Sequence, residues 1–417
     1  MGYCRGFAGA AESVLRRGCR DGGLMKSLSA TGPGPVGSRP RPQFERIALL
    51  LQGGGALGAY QGGVYQALAE ADLHPSCVAG ISIGAINSAL VAGNPPEKRV
   101  ERLRAFWETV SQPPFGIPYF PVLEIKNDMV HQLVNQWRAL DALVWGAPSF
   151  FQPRVPPPIF TPASKPDALA FYDTSPLKGL LESLVDFDRI NACEMRFGVG
   201  AVNIRTGNFI YFDNLTHKVG PQHIMASGSL PPGFPATEVD GEYYWDGGIV
   251  SNTPLQWVLD SRPRVDTLAF QVDLWSARGA LPRDMIEVDV RQKDIRYSSR
   301  TRASTDSFRR MQALRRAAAK LLDQMPKELR DTAEAELLAQ EADHKSYNIV
   351  HLIYHAKHYE GSSKDYEFSR RTMEEHWASG YDDMSRTLDH PEVLLRSQSA
   401  DGVFTFDLKQ QARDQEK

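Results

Sequence analysis

Cysteine is scarce in this chain: four among 417 residues, Cys4, Cys19, Cys77 and Cys193. No two make a Cys-x-x-Cys pair, so the sequence holds neither a zinc cluster of that kind nor a dithiol redox motif. Scattered cysteine fits a reducing compartment. Long apolar runs are missing as well. The nearest, residues 78–93, is broken by Ser82, Asn87 and Ser88, so no transmembrane helix is expected. Charge of one sign is not in excess either. The formal net charge is -3, and nothing global points to nucleic acid. The N-terminus carries Arg5, Arg16, Arg17 and Arg20 but no compact apolar core, which makes a poor secretory signal. Gly6 stands where a myristoylation pattern needs Ser or Thr. Met25 is a candidate start, and a cytoplasmic protein is the expectation.

What is present is concentrated between Arg46 and Leu90. Two strand-turn-helix units follow each other there. The first runs Ile47 to Leu51, then Gly53-Gly54-Gly55, then a helix to Glu70. The second runs Cys77 to Ala79, then Gly80-Ile81-Ser82-Ile83-Gly84, then a helix to Ala92. A glycine turn that opens a helix offers free backbone N–H groups to negative charge. A serine between two close glycines on such a turn is held out where it can attack. The pair describes acyl transfer, with Ser82 as nucleophile and Gly53, Gly54, Gly55 and the N–H of Ile83 around an oxyanion. Gly80 and Gly84 belong to the elbow, where side chains would crowd the turn. The bland alternative is a tight turn with a capping serine.

Gly53, Gly55 and Gly58 also spell G-x-G-x-x-G after a strand. A dinucleotide site would need an acidic residue near the end of the second strand. Residues 75–81 contain none, so that reading fails on its own context. Serine needs a base, either a histidine or a carboxylate acting directly. His217, His223, His351 and His355 are the histidines for a triad. Asp246 ends the aromatic stretch EYYWD and precedes Gly247-Gly248. The alternative for Asp246 is a turn residue in an Asp-Gly reversal.

Alternating strands and helices predict a parallel α/β sheet. Residues 1–42, rich in Gly, Arg, Pro and Ser, read as a disordered tail. Residues 97–110 read as an amphipathic helix. Residues 111–176 are rich in proline and aromatics, with a helix expected over 129–145. That segment is either a cap over the site or an insertion with a small core of its own. Strands resume at 196–202 and 208–212, joined by a turn at 204–207, and again at 267–273.

The order of motifs resembles the patatin-like phospholipase family. GGGALG at 53–58, GISIG at 80–84, YDTSPL at 172–177, ASGSLPPGFP at 226–235 and DGG at 246–248 carry the likeness. The resemblance implies a three-layer α/β/α fold related to the α/β-hydrolases and a Ser82–Asp246 dyad without catalytic histidine. It implies no metal or cofactor, and a lipid or other ester as substrate. Leu57 departs from the family's GGGxRG loop, leaving phospholipid, neutral ester, acyl-CoA and polymer ester open. A non-catalytic lipid- or protein-binding module, an acyltransferase and a thioesterase are the rival readings.

Residues 43–275 form the expected catalytic domain and 276–417 a mostly helical extension that resembles the C-terminal region of one bacterial patatin-like subgroup. In that region Tyr366, Phe368 and Trp377 read as packing residues. Residues 291–320 hold ten basic and two acidic residues. Phe308, Met311, Leu314, Leu321 and Leu322 fall near one helical face, so this stretch either lies on anionic lipid or forms a hairpin with the acidic residues 328–343. The segment 347–360 alternates and reads as a strand, with His351 and His355 on one face and His358 on the other. Metal binding there lacks a carboxylate to complete the ligands.

Overall fold

The structure, a computed structural model, describes residues 42–113, 128–147, 149–160, 169–298, 301–357, 360–361, 363–397 and 399–408. The expected disordered tail and His358 lie outside them, as does part of the expected cap.

Arg46–Leu51 forms β1, and Ala59–Glu70 the helix α1. Cys77–Ile81 is β2, and Ile83–Ala92 is α2. Both strands are apolar runs buried on two faces, as parallel strands between helical layers must be. Helices Pro96–Val110 (α3) and Asp128–Trp145 (α4) follow. Short strands Gln152–Pro153 (β3) and Tyr172–Asp173 (β4) then pair antiparallel. Arg196–Asn203 (β5) and Phe209–Asp213 (β6) make the expected antiparallel pair, with Gly207 at φ 69 in the connecting turn. Thr237–Val239 (β7), Glu242–Asp246 (β8) and Thr267–Asp273 (β9) complete the first part of the sheet.

The sheet does not stop at residue 275. Tyr347–Ile353 (β10) pairs parallel with β9, and Val403–Asp407 (β11) pairs parallel with β10. The spatial order is β11-β10-β9-β1-β2-β5-β8-β7, with β6 also on β5. From β1 the chain builds outward to β2 and β5 on one side, then returns to β9 and β10 on the other. Strand order therefore reverses at β1. In open parallel sheets the carboxyl ends at such a reversal leave a crevice.

Strand β10 ends at Ile353, earlier than the alternating sequence suggests, so His355 lies beyond it. Its Nδ1 sits 2.7 Å from the Ile353 carbonyl. Between β9 and β10 run helices Met285–Tyr297, Thr301–Gln324 and Ala333–Glu341. The apolar residues expected on one face of 301–324 are divided. Phe308 is buried against Tyr347, with ring centroids 5.0 Å apart, while Met311, Leu314 and Leu321 are exposed. The buried stripe instead follows Phe308, Gln312, Arg315 and Ala319, at helical spacing. Arg315 Nε reaches Glu341 at 3.5 Å, and Gln312 donates to Asp343 at 3.1 Å. These pairings make the hairpin.

The helix Arg370–Leu388 packs along α1. The two backbones nearly touch. A Cβ at Gly380 would lie 2.0 Å from the Tyr60 carbonyl oxygen, and one at Gly63 would lie 1.9 Å from that of Trp377. The Trp377 ring fills the space above Gly62, and the Arg104 guanidinium stacks on it at 4.0 Å. Tyr60 donates to Asp383 across the same contact at 2.9 Å. Gly380→Leu should therefore lower stability by about 1–3 kcal/mol through overpacking. Chemical denaturation measures it, and an unchanged midpoint would mean the helices can part without cost.

Candidate active site

Ser82 occupies the turn between β2 and α2 with φ 55, a conformation rare for a residue with a side chain. The turn is tight enough to demand both glycines. A Cβ at Gly80 would sit 2.1 Å from the Gly84 carbonyl oxygen, and one at Gly84 would sit 2.2 Å from that of Leu51. The Ser82 N–H donates to Ser227 Oγ at 3.0 Å, and that hydroxyl donates to the Gly200 carbonyl at 2.6 Å. Ser227, from the ASGSLPPGFP stretch, thus ties the elbow to β5.

Asp246 closes β8, which lies beside the end of β5 with Asp246 opposite Ala201. Its carboxylate is buried and accepts the Gly248 N–H at 2.7 Å. Burial pushes its pKa up to about 6, against the opposing hydrogen bonds from the Ser82 side chain and the Gly248 N–H. The two residues brought together from sequence positions far apart are thus a hydroxyl and a base that titrates near neutrality.

The glycine loop follows β1, next to the elbow. Its conformation is held from elsewhere in the chain. Asn252 accepts the Gly53 N–H at 3.1 Å and donates to the Gly53 carbonyl at 3.0 Å. Trp275 Nε1 donates to the same carbonyl at 2.9 Å. Gln52 accepts the N–H groups of Leu274 and Trp275 and donates to Thr253. The Asp365 carbonyl accepts the Ala56 N–H at 2.8 Å. The Gly53 N–H, expected at an oxyanion, is therefore taken by Asn252. The N–H groups of Gly54, Gly55 and Ile83 have no partner among the described residues, and these residues border one cavity with Ser82 and Asp246. Asn252 and Ser227 escaped notice in the sequence. Ser227 stands inside the ASGSLPPGFP stretch and Asn252 just past DGG, but nothing local marks them, because their partners are 145 and 199 residues away.

The cavity holds about 300 Å³ and is largely apolar. Phe150, Phe151 and Tyr172 come from the stretch expected as cap or insertion, and Phe234 from the ASGSLPPGFP motif. Their rings meet edge-on or tilted, with Phe151 5.0 Å from Tyr172 and 5.2 Å from Phe234. Tyr297, Asp365, Tyr366 and Phe368 complete the wall from beyond residue 275. Tyr366 thus lines the cavity, Phe368 both lines it and packs in the core, and Trp377 packs in the core. The Asp365 carboxylate turns to Lys293 at 3.2 Å. Leu57, at the departure from the glycine-loop pattern, is fully buried in the core.

No described histidine lines the cavity. His217 lies against Phe212, and His223 caps its own helix at Gly220. His351 lies on β10, where burial lowers its pKa to about 4. Among the described residues no group of three His, Cys, Asp or Glu is placed to hold a metal ion.

A strained serine beside a buried carboxylate, next to a helix-opening glycine loop, is matched at the level of families. The model described as patatin-like phospholipase matches residues 49–259, and one described as patatin phospholipase matches 295–400. The chain belongs to the patatin-like phospholipase family. At family level it is a lipid hydrolase, and its three-layer α/β/α arrangement with a helical C-terminal region is that of the family. No curated protein matches the chain. Among solved structures, the crystal structure of VipD from Legionella pneumophila is 17% identical, covering 84% of this chain and 67% of that one. Its TM-score is 0.35, too slight a likeness to carry weight. No helix among the described residues is long and apolar enough to cross a membrane.

The elevated pKa of Asp246 has a sign for stability. A carboxyl whose pKa is raised in the folded state favours folding when protonated. Its charged form costs stability once pH rises through about 6, by about 3 kcal/mol. Asp246→Asn should melt higher than wild type at pH 8, with the gain shrinking toward pH 4. Melting curves across pH check it, and a loss of stability at pH 8 would contradict the burial account.

Proposed function

We propose that this protein is a serine-dependent lipid acyl hydrolase working through Ser82 and Asp246. The observation that carries the reading is the Ser82 hydroxyl beside a buried carboxylate, at the floor of an apolar cavity edged by unpartnered N–H groups. Asp246 accepts the Ser82 proton as Oγ attacks the ester carbonyl. The tetrahedral oxyanion takes hydrogen bonds from Gly54, Gly55 and Ile83. Asp246 returns the proton to the departing alcohol, leaving an acyl-serine. Water, deprotonated by Asp246, then attacks that ester; Asp246 passes the proton to Ser82 Oγ as its bond to the acyl carbon breaks, and the carboxylic acid leaves. An alcohol in place of water would make the same site an acyltransferase, and a thioester substrate a thioesterase.

In this reading residues 43–275 supply the reacting groups, the described residues of 111–176 help to line the cavity, and the chain beyond 275 closes its wall. The protein is cytoplasmic and meets membranes peripherally. Residues 291–320 are not the favoured contact, since Arg315 and Gln312 are engaged by the acidic hairpin partner.

Fatty-acid release from phospholipid vesicles tests the assignment. Wild type should release fatty acid, and Ser82→Ala should release at least about a thousandfold less. A folded protein that hydrolyses no ester and never labels with a fluorophosphonate would favour the binding module. The base also fixes the pH profile. It works unprotonated, so kcat/KM should be level above pH about 6 and fall tenfold per unit below it. A profile flat from pH 4 to 8 would exclude Asp246 as the base.

A further inference from the structure

Helix α4 is amphipathic in an unusual sense. Asn135, Ala139 and Ala142 are buried at helical spacing. The opposite face ought to be polar in a helix that meets only water. It is not. Trp137, Leu140 and Val144 share that face at i, i+3 and i+7, and Trp137 is 73% exposed. Between residues 134 and 145, Gln136 is the sole polar residue in the exposed set. Farther along the chain Phe160, also 73% exposed, Leu169 and Phe171 are exposed as well.

This surface is continuous with the cavity. Ala142 and Leu143 of α4 line it. Tyr172, next to Phe171, lines it too and donates its hydroxyl to the Leu143 carbonyl at 2.8 Å. The Phe171 and Tyr172 N–H groups donate to Pro232 and Gly233, both cavity residues. The same short elements therefore present apolar side chains inward to the substrate space and outward to the surroundings.

We propose that the outer face of α4, with Phe160, Leu169 and Phe171, docks on a lipid bilayer and sets the cavity mouth against it. Three features favour a bilayer over a protein partner. The face is apolar and rich in aromatic residues, as at a membrane interface. Its exposed side chains are apolar apart from Gln136, with charge only on half-buried Arg138 and Asp141 at the flanks of α4. It rims a cavity whose substrate class, at family level, is lipid, so an acyl chain can move from bilayer to cavity without crossing water. The inference rests on the hydrolase reading for its purpose but not for its test. Because the face is nearly neutral, docking should need no anionic lipid and should persist at high salt. A contact made by the basic residues 291–320 would behave oppositely.

The test is co-sedimentation of the whole protein with phosphatidylcholine vesicles at low and high salt. It is paired with hydrolysis of a soluble p-nitrophenyl ester. The variant is Trp137→Ser, Leu140→Ser, Val144→Ser, all exposed positions outside the cavity wall. Wild type should bind at both salt levels, and the variant should bind at least about tenfold more weakly while retaining ester hydrolysis. If the variant also loses ester hydrolysis, Trp137→Ser alone is used, and the wild-type Trp emission must shift blue on vesicles in a way that variant lacks. Wild type that cleaves the soluble ester without binding vesicles overturns the docking surface and leaves the hydrolase reading standing. Wild type that binds but cleaves nothing does the reverse. Binding that needs anionic lipid and vanishes at high salt overturns it in favour of residues 291–320. A wild-type dimer that the variant splits, with no vesicle binding, overturns it in favour of a second copy.

Discussion

A glycine loop that leaves N–H groups open to a cavity cannot satisfy its own backbone. Regular structure would consume those donors, and burial without partners would cost about 1–3 kcal/mol for each polar group. The loop after β1 meets this constraint with partners from elsewhere in the chain. Asn252 takes both polar groups of Gly53, Trp275 adds a second donor to its carbonyl, and the Asp365 carbonyl takes the Ala56 N–H. Gln52, itself buried, joins the loop to the end of β9. These four partners all come from beyond residue 250, so this part of the loop's support is in place only when the sheet has closed on both sides of β1. The reversal of strand order at β1 is what brings those partners within reach.

The same enclosure sets the chemistry of Asp246. Water would hold its pKa near that of a free carboxyl, leaving a weak base. The two hydrogen bonds it accepts lower the pKa but do not offset burial, and the group ends near 6. A third donor would stabilise the carboxylate further and weaken it as a base. The site is thus built with few partners for its charge, and the fold bears the cost of that scarcity.

Much of this was legible in the sequence, for local reasons. The strands at 46–51, 77–81 and 267–273 are apolar runs bounded by turn residues, and the elbow is a contiguous string in which both glycines have a steric reason. Ser82 and Asp246 are each marked by the glycines beside them. What stayed hidden depends on distance. Asn252 and Ser227 act through single hydrogen bonds to residues far away in sequence. Tyr366 and Phe368 look like any aromatics on a charged segment until Asp365 is seen to anchor that segment to the loop. On residues 301–324 the hydrophobic residues do not mark the buried face. Gln312 and Arg315 in fact face inward, each with a partner, while three apolar residues face out.

The position of residue 275 has a further consequence. If the chain beyond it were an appendage, β9 would be an edge strand with unpaired backbone groups. Instead β10 pairs along all of β9, the helix 370–388 covers α1 at glycine distance, and the intervening segment supplies cavity wall and loop anchor. Glycine loop, sheet edge and cavity wall are therefore satisfied by one stretch of chain. Beside that cavity, α4 with Phe160, Leu169 and Phe171 is one stretch with large apolar groups still unburied. An apolar face left open beside an apolar cavity is a side through which an acyl chain would meet little water.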